Sequence, residues 1–378
     1  MVEEALTETS WKKRLRNRLV RPMLPWLVGS FGIQASNIKA RSFVEDLVSH
    51  LSESYLPGRE IEILRFQQNS SGSVHVELAA SGERFRLELP LYPGAERRID
   101  ASSEMFANWQ RWKKGRSTSY AWKLRIAWHG YRGQSFLLQR EPRGRALNDQ
   151  MSSTDRHALI RGAGEYLVHL GQATRRPAGS WPEILRQKAQ DYGLSLAEEN
   201  RRRGLPGSME QDVLEIVDSL EHAAPDTPGF LCSIHGNFRP GNLLVSEQNG
   251  TAITTVINWD CFEPRSLPFL DLFHLIAVRG PSNAWGARLV QLFTSMQAQT
   301  PSTSIVRDYA QQVGIDRELV PQFRIVYWLR QCLLRMRSDT PQLAKILQEG
   351  IFVPVDYLRA NGWSTGGQPV ETELQVKK

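Results

Sequence analysis

The sequence is poor in cysteine and lacks any long hydrophobic run. It has only three cysteines in 378 residues, Cys232, Cys261 and Cys332, and no two of them have the CxxC spacing. This argues against a disulfide scaffold and against a tetrahedral zinc site. No apolar run approaches the roughly 20 residues that span a bilayer, which excludes a transmembrane anchor. These absences predict a protein of the reducing cytoplasm.

The chain also lacks a strong excess of one charge. It has 47 basic and 40 acidic residues, which gives a net charge of +7. An excess this small favours an ordinary solvated surface over a nucleic-acid partner. Hydrophobic residues make up 41% of the chain, enough for a substantial core. The length predicts one large two-lobed unit or two domains.

A basic amphipathic segment is predicted at residues 1–35. Six lysines and arginines fall within ten consecutive residues there, while Trp11, Leu15 and Leu19 recur every four positions. On a helix, these three side chains form an apolar stripe flanked by cations. Three interpretations stay open. Residues 11–28 lie on an anionic membrane surface, the segment docks on a partner, or it is a basic helix packed on its own domain.

The rest of the sequence divides by its hydrophobic period. Helical spacing over residues 41–54 gives way to a two-residue alternation, which predicts an N-lobe at 36–142 with a helix and a five-stranded antiparallel sheet. After Gly144 helical spacing dominates, and we predict a helical C-lobe at 143–360. A polar tail at 361–378 is expected to be mobile. The fold class is therefore predicted as α+β.

The segment 233–271 carries the most informative motifs. It contains HGNFRPGN at 235–242, INW at 257–259 and, at its end, the pair DL at 271–272. This closely resembles the HGDxxPGN, IDW and DL motifs of the aminoglycoside phosphotransferase and choline kinase family. The resemblance extends over roughly residues 40–340. It implies a two-lobed protein-kinase-like fold, with a small antiparallel-sheet N-lobe and a larger, mainly helical C-lobe, and it implies ATP and Mg²⁺ as cofactors.

The resemblance also places other parts of a nucleotide site. Ser71 and Gly72 fall where the phosphate-covering loop of the family lies. Glu104 falls where the first helix presents a glutamate, and Gln139 and Glu141 fall in the hinge that binds adenine. These five residues are therefore expected to face the nucleotide.

Three positions depart from the family pattern in their charge. Asn237 stands at the position of the catalytic aspartate, and an amide can orient a hydroxyl but cannot take up its proton. Asn258 stands at the position of a magnesium aspartate, where the cation prefers a carboxylate. Glu88 falls at the position of the strand lysine, where a carboxylate repels phosphate. The three changes together predict weak binding of ATP and magnesium.

Other positions match the family pattern. The resemblance makes Asn242 the metal-binding asparagine and Asp260 a further candidate metal ligand. It gives Asp271 the role of holding the catalytic loop, which His235 also braces. The residues that hold the loop in place are thus expected to be present, although some of its catalytic side chains are replaced.

Arg86 lies two residues before Glu88, so both side chains are expected on one face of a strand. Arg86 either supplies the cation that is missing at position 88 or neutralises Glu88, and we favour neutralisation. The opposite face is expected to pack on the core, because Phe85, Leu87 and Leu89 alternate with these charged residues.

The departures predict a pseudokinase, cytoplasmic or peripheral to the membrane, with a binding or regulatory role toward a small molecule or a protein. Two alternatives remain. The first is an active ATP-dependent small-molecule phosphotransferase that acts on a hydroxyl and uses Asn242 and Asp260 for magnesium. The second is a membrane- or complex-associated scaffold whose function lies in the first 30 residues.

Overall fold

A computed structural model describes most of the central part of the chain. It covers residues 33–68, 73–90, 125–131, 134–141, 144–146, 153–204, 211, 214, 215, 217, 227–246, 253–259, 261–277 and 301–337. The chain divides into two compact units. The first unit comprises Met1–Ser103 and Trp122–Glu141, and the second comprises Glu104–Ala121 and Pro142–Lys378.

The first unit consists of one helix and a five-stranded sheet in its described part. Its elements are α1 (Ile33–Ser54), β1 (Ile61–Gln68), β2 (Ser73–Ala80), β3 (Glu83–Pro90), β4 (Arg125–Tyr131) and β5 (Gln134–Arg140). The strand order is β1-β2-β3-β5-β4, and all neighbouring strands are antiparallel. Helix α1 thus begins within the predicted basic segment 1–35, whose first 32 residues lie outside the described ranges.

The core of the first unit lies between α1 and one face of the sheet. Apolar residues of α1 recur at helical spacing, and Val44, Leu47 and Leu51 are fully buried. Alternate residues of β2 and β3 pack against them, including Phe85 and Leu87. Burial therefore follows the alternation seen in the sequence and leaves Arg86 and Glu88 on the other face.

A tight hairpin fixes the register of β2 against β3. Ser81 and Gly82 have φ values of 51° and 77°, the left-handed backbone that a two-residue hairpin turn requires. Ala80 pairs with Glu83 across this turn, and the register then places His75 directly opposite Glu88. The turn therefore determines which charged side chains meet on the outer face.

The second unit is mainly helical, with short strands inserted. Its helices are α2 (Ser153–Thr174), α3 (Trp181–Arg202), α4 (Leu270–Ala277), α5 (Pro301–Val313) and α6 (Val320–Arg337). Its strands are β6 (Arg145–Ala146), β7 (Arg176–Ser180), β8 (Pro228–Ile234), β9 (Leu243–Val245), β10 (Ile253–Val256) and β11 (Glu263–Ser266). Within the described part of this unit they form two small antiparallel sheets, in the orders β10-β9-β6 and β11-β8-β7.

Aromatic residues fill the core of the second unit. Trp181 at the start of α3 packs edge-on against Phe230 of β8 and Phe323 of α6. Phe269, just before α4, contacts Phe323 as well. These contacts fix the positions of β8 and of the start of α4. The segment HGN at 235–237 follows β8 directly, and Asp271 lies in the first turn of α4. Within the described ranges, no helix is both long and apolar enough to span a membrane.

Candidate functional site

The HGN loop begins where β8 ends, and its backbone has no room for a larger residue at its second position. Gly236 has a φ of 81°, a conformation that side chains with a Cβ rarely adopt. A Cβ there would also overlap the carbonyl oxygen of Cys261. The loop therefore requires glycine at this position for both backbone and packing reasons.

Asp271 holds this loop from α4. Its two carboxylate oxygens accept hydrogen bonds from the backbone N–H groups of His235 and Gly236, at 2.6 and 2.8 Å. The carboxyl group is buried, which raises its pKa to about 6, although the two N–H bonds and the charge of Arg330 act in the opposite direction. Asp271 is therefore a structural brace, which is the role that the resemblance implied.

Arg330 of α6 is a second brace of the same loop. Its guanidinium is only 3% exposed and pairs with Glu263 at 2.6 Å, while Nη1 donates to the carbonyl oxygen of Gly236 at 3.1 Å. Burial disfavours the charge of Glu263, but Arg330 outweighs it and holds the pKa of this carboxyl below its usual value. The loop is thus held through its backbone, by Asp271 at two N–H groups and by Arg330 at a carbonyl group.

His235 links the loop to the end of β10. Its Nδ1 accepts from the backbone N–H of Asn237 at 3.2 Å, so its proton is on Nε2, which donates to the carbonyl oxygen of Ile257 at 2.8 Å. Burial lowers the pKa of His235 to about 4, so the ring is neutral at pH 7. His235 therefore positions Asn237 without carrying charge.

The three asparagines of the motifs form a hydrogen-bonded chain, which we call the amide network (Asn237, Asn242 and Asn258). Nδ2 of Asn242 donates to the backbone carbonyl oxygen of Asn237 at 2.8 Å. A carbonyl oxygen can only accept, so the orientation of the Asn242 amide is fixed and its Oδ1 faces Asn258. Nδ2 of Asn258 in turn donates to this Oδ1 at 2.8 Å.

The amide network does not fit a magnesium ion. The oxygen of Asn242 that would bind the metal already accepts a hydrogen bond, and Asn258 directs an N–H group, not an oxygen, toward it. Both side chains are neutral, whereas Mg²⁺ prefers carboxylates and water. In the part of the chain that the structure describes, no cluster of three His, Cys, Asp or Glu residues could hold a metal.

Two functional candidates, His274 and Tyr327, were not singled out in the sequence. His274 of α4 places Nε2 3.3 Å from Oδ1 of Asn237, and its Nδ1 lies 3.2 Å from the hydroxyl of Tyr327. His274 follows Asp271 by three residues, so a helix places both on one side, and this spacing was the available signal. Tyr327 lies more than fifty residues further on, and nothing in the local sequence indicates it.

Arg86 and Glu88 lie on the outer face of β3 as expected, but a third residue connects them. Arg86 contacts Nδ1 of His75, and Nε2 of His75 lies 3.3 Å from a carboxylate oxygen of Glu88. We call this group the strand cluster (His75, Arg86 and Glu88). His75 and Glu88 are 20% and 24% exposed, so water reaches the group. Arg86 and Glu88 are thus connected through His75, and the neutralising role of Arg86 stays a prediction.

The other predicted nucleotide residues are placed at the end of β5 or are not described. Gln139 pairs with Arg86 in the sheet register, and the backbone N–H of Glu141 donates to the carbonyl oxygen of Arg84 at 2.8 Å. The following predicted residues lie outside the described ranges: Ser71, Gly72, Glu104 and Asp260. The same applies to the tail 361–378.

Comparison with known proteins identifies the class of protein that this fold and loop define. Residues 98–310 match the sequence profile of the Phosphotransferase enzyme family (APH), which covers more than half of the chain. The chain belongs to this family. No curated protein matches the sequence.

Solved structures with a similar fold are aminoglycoside phosphotransferases. A candidate aminoglycoside phosphotransferase from Ralstonia eutropha JMP134 has a TM-score of 0.53 at 15% identity, covering 84% of this chain and 98% of its own. The GDP and kanamycin complex of APH(2″)-IIIa has a TM-score of 0.51 at 14% identity, with 84% and 99% coverage. At such low identity the likeness shows the fold alone, and it is the predicted two-lobed, kinase-like one.

Proposed function

We propose that this chain is a pseudokinase of the phosphotransferase family, which binds a ligand or partner and does not carry out magnesium-dependent phosphoryl transfer. Phosphoryl transfer depends mainly on positioning and on metal ions that neutralise charge on the phosphates. The hydrogen bond between Asn258 and Asn242 carries the proposal, because it uses the oxygen that would bind the metal. The positive end of the Asn258 N–H group points at this oxygen, which disfavours a cation beside it.

The remaining departures support the same function. Asn237 has no carboxylate to accept the hydroxyl proton, a contribution of about 10²- to 10⁴-fold in other enzymes. Glu88 offers a negative charge at the position where the family resemblance implies a lysine for the phosphates. Electrostatic stabilisation of the transferred group is usually the largest catalytic contribution, so these losses affect the same step of the reaction.

An active small-molecule phosphotransferase is the second candidate. The observation that favours it is the intact frame of the loop, in which Asp271, Arg330 and His235 hold Gly236 and Asn237 firmly in place. A substrate hydroxyl that is well oriented by Asn237 could react without a dedicated base. The two candidates differ in whether ATP binds only together with magnesium.

Nucleotide binding tests the proposal directly. Unfolding would be followed with millimolar ATP, with and without magnesium, in the full chain. A ligand at a hundredfold excess over its Kd stabilises a protein by about 2.7 kcal/mol. We expect little stabilisation that requires both ATP and magnesium. A large shift that needs both, or ATP turnover by the wild type, would reject the pseudokinase function.

Restoring the charges provides the complementary experiment. The triple variant Asn237→Asp, Asn258→Asp, Glu88→Lys is expected to gain magnesium-dependent ATP binding and hydrolysis above the wild-type level. Groups that act as a unit are non-additive, so each single change should do little. The matched control introduces the same three charge changes at exposed positions, as Gln311→Glu, Gln312→Glu and Glu165→Lys. A wild type that already equals the triple variant would contradict the proposal.

A further inference from the structure

Asn237 has one acceptor atom and one donor group in its side chain, and the groups behind it decide which of them faces a ligand. Oδ1 can only accept a hydrogen bond, and Nδ2 can only donate. The side chain is half-buried, so part of it is accessible to a ligand. Its partner on the protein side is His274, which is in turn in contact with Tyr327.

The hydroxyl of Tyr327 determines which atom donates and which accepts in each of these hydrogen bonds. Tyr327 is fully buried, and among the described residues its hydroxyl is paired with Nδ1 of His274, at 3.2 Å. A buried hydroxyl donates its hydrogen wherever an acceptor is present, because an unsatisfied donor is costly. Tyr327 therefore donates to Nδ1 of His274.

The position of the hydrogen on the His274 ring then determines which end of the Asn237 amide faces that ring. Burial, together with the nearby charges of Arg330 and Arg335, lowers the pKa of His274 to about 3, so the ring is neutral and carries one hydrogen. Nδ1 accepts from Tyr327, which leaves the hydrogen on Nε2. Nε2 then donates to Oδ1 of Asn237, at 3.3 Å. The acceptor of Asn237 is thus turned toward the protein.

The donor of Asn237 consequently faces away from His274. Within the described residues, no acceptor is paired with Nδ2 of Asn237. The charges around it favour an anion. Arg239 is exposed and close enough that its charge helps to lower the pKa values of His235 and His274.

The carboxylates near this donor already have hydrogen-bond or ion-pair partners. Asp271 accepts two backbone N–H bonds, and Glu263 is paired with Arg330. The amide network itself is neutral. An anion that approaches Nδ2 of Asn237 therefore meets a donor and a cation without a free carboxylate among the described residues of the loop.

We propose that the loop binds an anionic oxygen group, a phosphate or a carboxylate, directly and without a metal, with Nδ2 of Asn237 as the donor. Tyr327 and His274 are the positioning residues that keep this donor turned outward. An aspartate at position 237 would present only acceptors and would repel the same ligand. The inference rests on the proposed function, since it assigns the loop a ligand that needs no magnesium.

Binding of inorganic phosphate and of acetate would be measured on the full chain in EDTA by calorimetry and thermal unfolding, against chloride at equal ionic strength. We expect saturable binding of at least one of them, and binding about tenfold weaker in Asn237→Asp, which loses a charge-assisted hydrogen bond and gains a repulsive charge. The two anions distinguish a phosphate ligand from a carboxylate ligand. Gln311→Glu, an equal charge change on an exposed helical surface, should bind like the wild type.

Binding of neither anion, or equal binding by wild type and Asn237→Asp, overturns the inference. General stabilisation of folded proteins by phosphate affects every variant alike and cancels in this comparison. The result is also separable from the proposed function. Turnover of ATP with magnesium would reject the pseudokinase function, whereas anion binding in EDTA is measured without either.

The positioning role has its own spectroscopic readout. Nitrogen-15 NMR of histidine-labelled protein is expected to show His274, assigned with His274→Gln, as a neutral ring with its hydrogen on Nε2. Tyr327→Phe removes only the hydroxyl, which should allow both tautomers. If the Asn237 amide then populates both orientations equally, phosphate binding weakens about twofold. A wild-type ring with its hydrogen on Nδ1 contradicts the inference whatever the stability of the variants.

Discussion

The amide network of the second unit and the strand cluster of the first unit both lack charges that the family resemblance implies, but they differ in what takes the place of those charges. In the amide network, amides stand where the resemblance implies carboxylates, and hydrogen bonds satisfy these groups without charge. In the strand cluster, Glu88 stands where the resemblance implies a cation, and it contacts His75, which also contacts Arg86. The amide network is neutral, whereas the strand cluster keeps charged side chains close together.

The difference matters because the groups behind the loop and the strand cluster are exposed to water to different degrees. The braces of the loop are buried, so each lost contact leaves groups that water cannot satisfy. The strand cluster is partly exposed, where ion pairs contribute little and are screened by salt. We therefore expect changes behind the loop to have large effects and changes in the strand cluster to have small ones.

The largest effect is expected from Arg330→Met. It leaves Glu263, which is 31% exposed, without its buried partner and the buried carbonyl group of Gly236 without a donor, and an unsatisfied buried polar group costs about 1–3 kcal/mol. The matched control is Arg59→Met, which removes an ion pair to Glu83 that is about one-third exposed and should cost less than about 1 kcal/mol. Urea unfolding measures both. Equal losses would mean that the buried brace is no stronger than a surface pair.

A smaller effect is expected from acid. The pKa values of His235 and His274 are lowered to about 4 and about 3, so the stability they contribute is present above pH 6.5 and is lost as the pH falls toward these values. Asp271 acts oppositely, because its raised pKa of about 6 makes the folded state take up a proton first. Two groups outweigh one, so stability should fall by about 1.4 kcal/mol per pH unit between pH 6 and 5, above the range in which the lowered pKa values of Glu199 and Glu263 add to the loss.

His274→Gln tests the origin of this slope. Removing one of the two buried histidines should leave a nearly flat profile between pH 6 and 5, since the remaining histidine and Asp271 cancel. The control is His157→Gln, on the exposed side of α2. The measurement is the urea midpoint of each variant from pH 7 to 4. A slope that His274→Gln leaves unchanged would refute the assignment.

A further prediction concerns Asn258→Asp. The carboxylate would face the oxygen of Asn242, so the hydrogen bond is lost and stability should fall by about 1 kcal/mol. Millimolar magnesium should restore part of it, because two oxygens then face each other across a cation site. Chemical unfolding with and without MgCl2 measures this, and the wild type should not respond. Absence of any magnesium effect in the variant would show that the two residues cannot share a metal.

The smallest effect is expected in the strand cluster. Glu88→Gln removes the negative charge next to His75 but keeps the shape, and a partly exposed pair contributes about 0.5 kcal/mol. The change should disappear in 1 M salt, where the screening length is about 3 Å. Thermal unfolding at low and high salt measures it. A loss above about 2 kcal/mol that salt does not reduce would remove the distinction between the two regions.

The sequence predicted the fold and the first-unit sheet because the alternation of Phe85, Leu87 and Leu89 reports burial directly. The motif at 235–242 predicted the loop in the same way, since its glycine and the later Asp271 are required by local backbone geometry. These signals are local or depend on fixed spacing, so a single sequence carries them.

The contacts behind the loop could not be predicted from the sequence. Arg330 and Tyr327 lie on α6, more than eighty residues after the loop, and only the packing of that helix brings them to Gly236 and His274. His75 was missed for a related reason, since only the register set by the β2–β3 turn places it opposite Glu88. Long-range partners of this kind are decided by tertiary packing and not by a pattern along the chain.

The hydrogen bond from Asn258 to Asn242 also has a genetic consequence. Codons for asparagine and aspartate differ by a single base, as do codons for glutamate and lysine, so each family residue is one mutation away. Reversion at position 258 alone, however, would turn two oxygens toward each other and lose a hydrogen bond, and magnesium would restore only part of that loss. If the chain is a pseudokinase as proposed, the first step back therefore lowers stability without restoring activity.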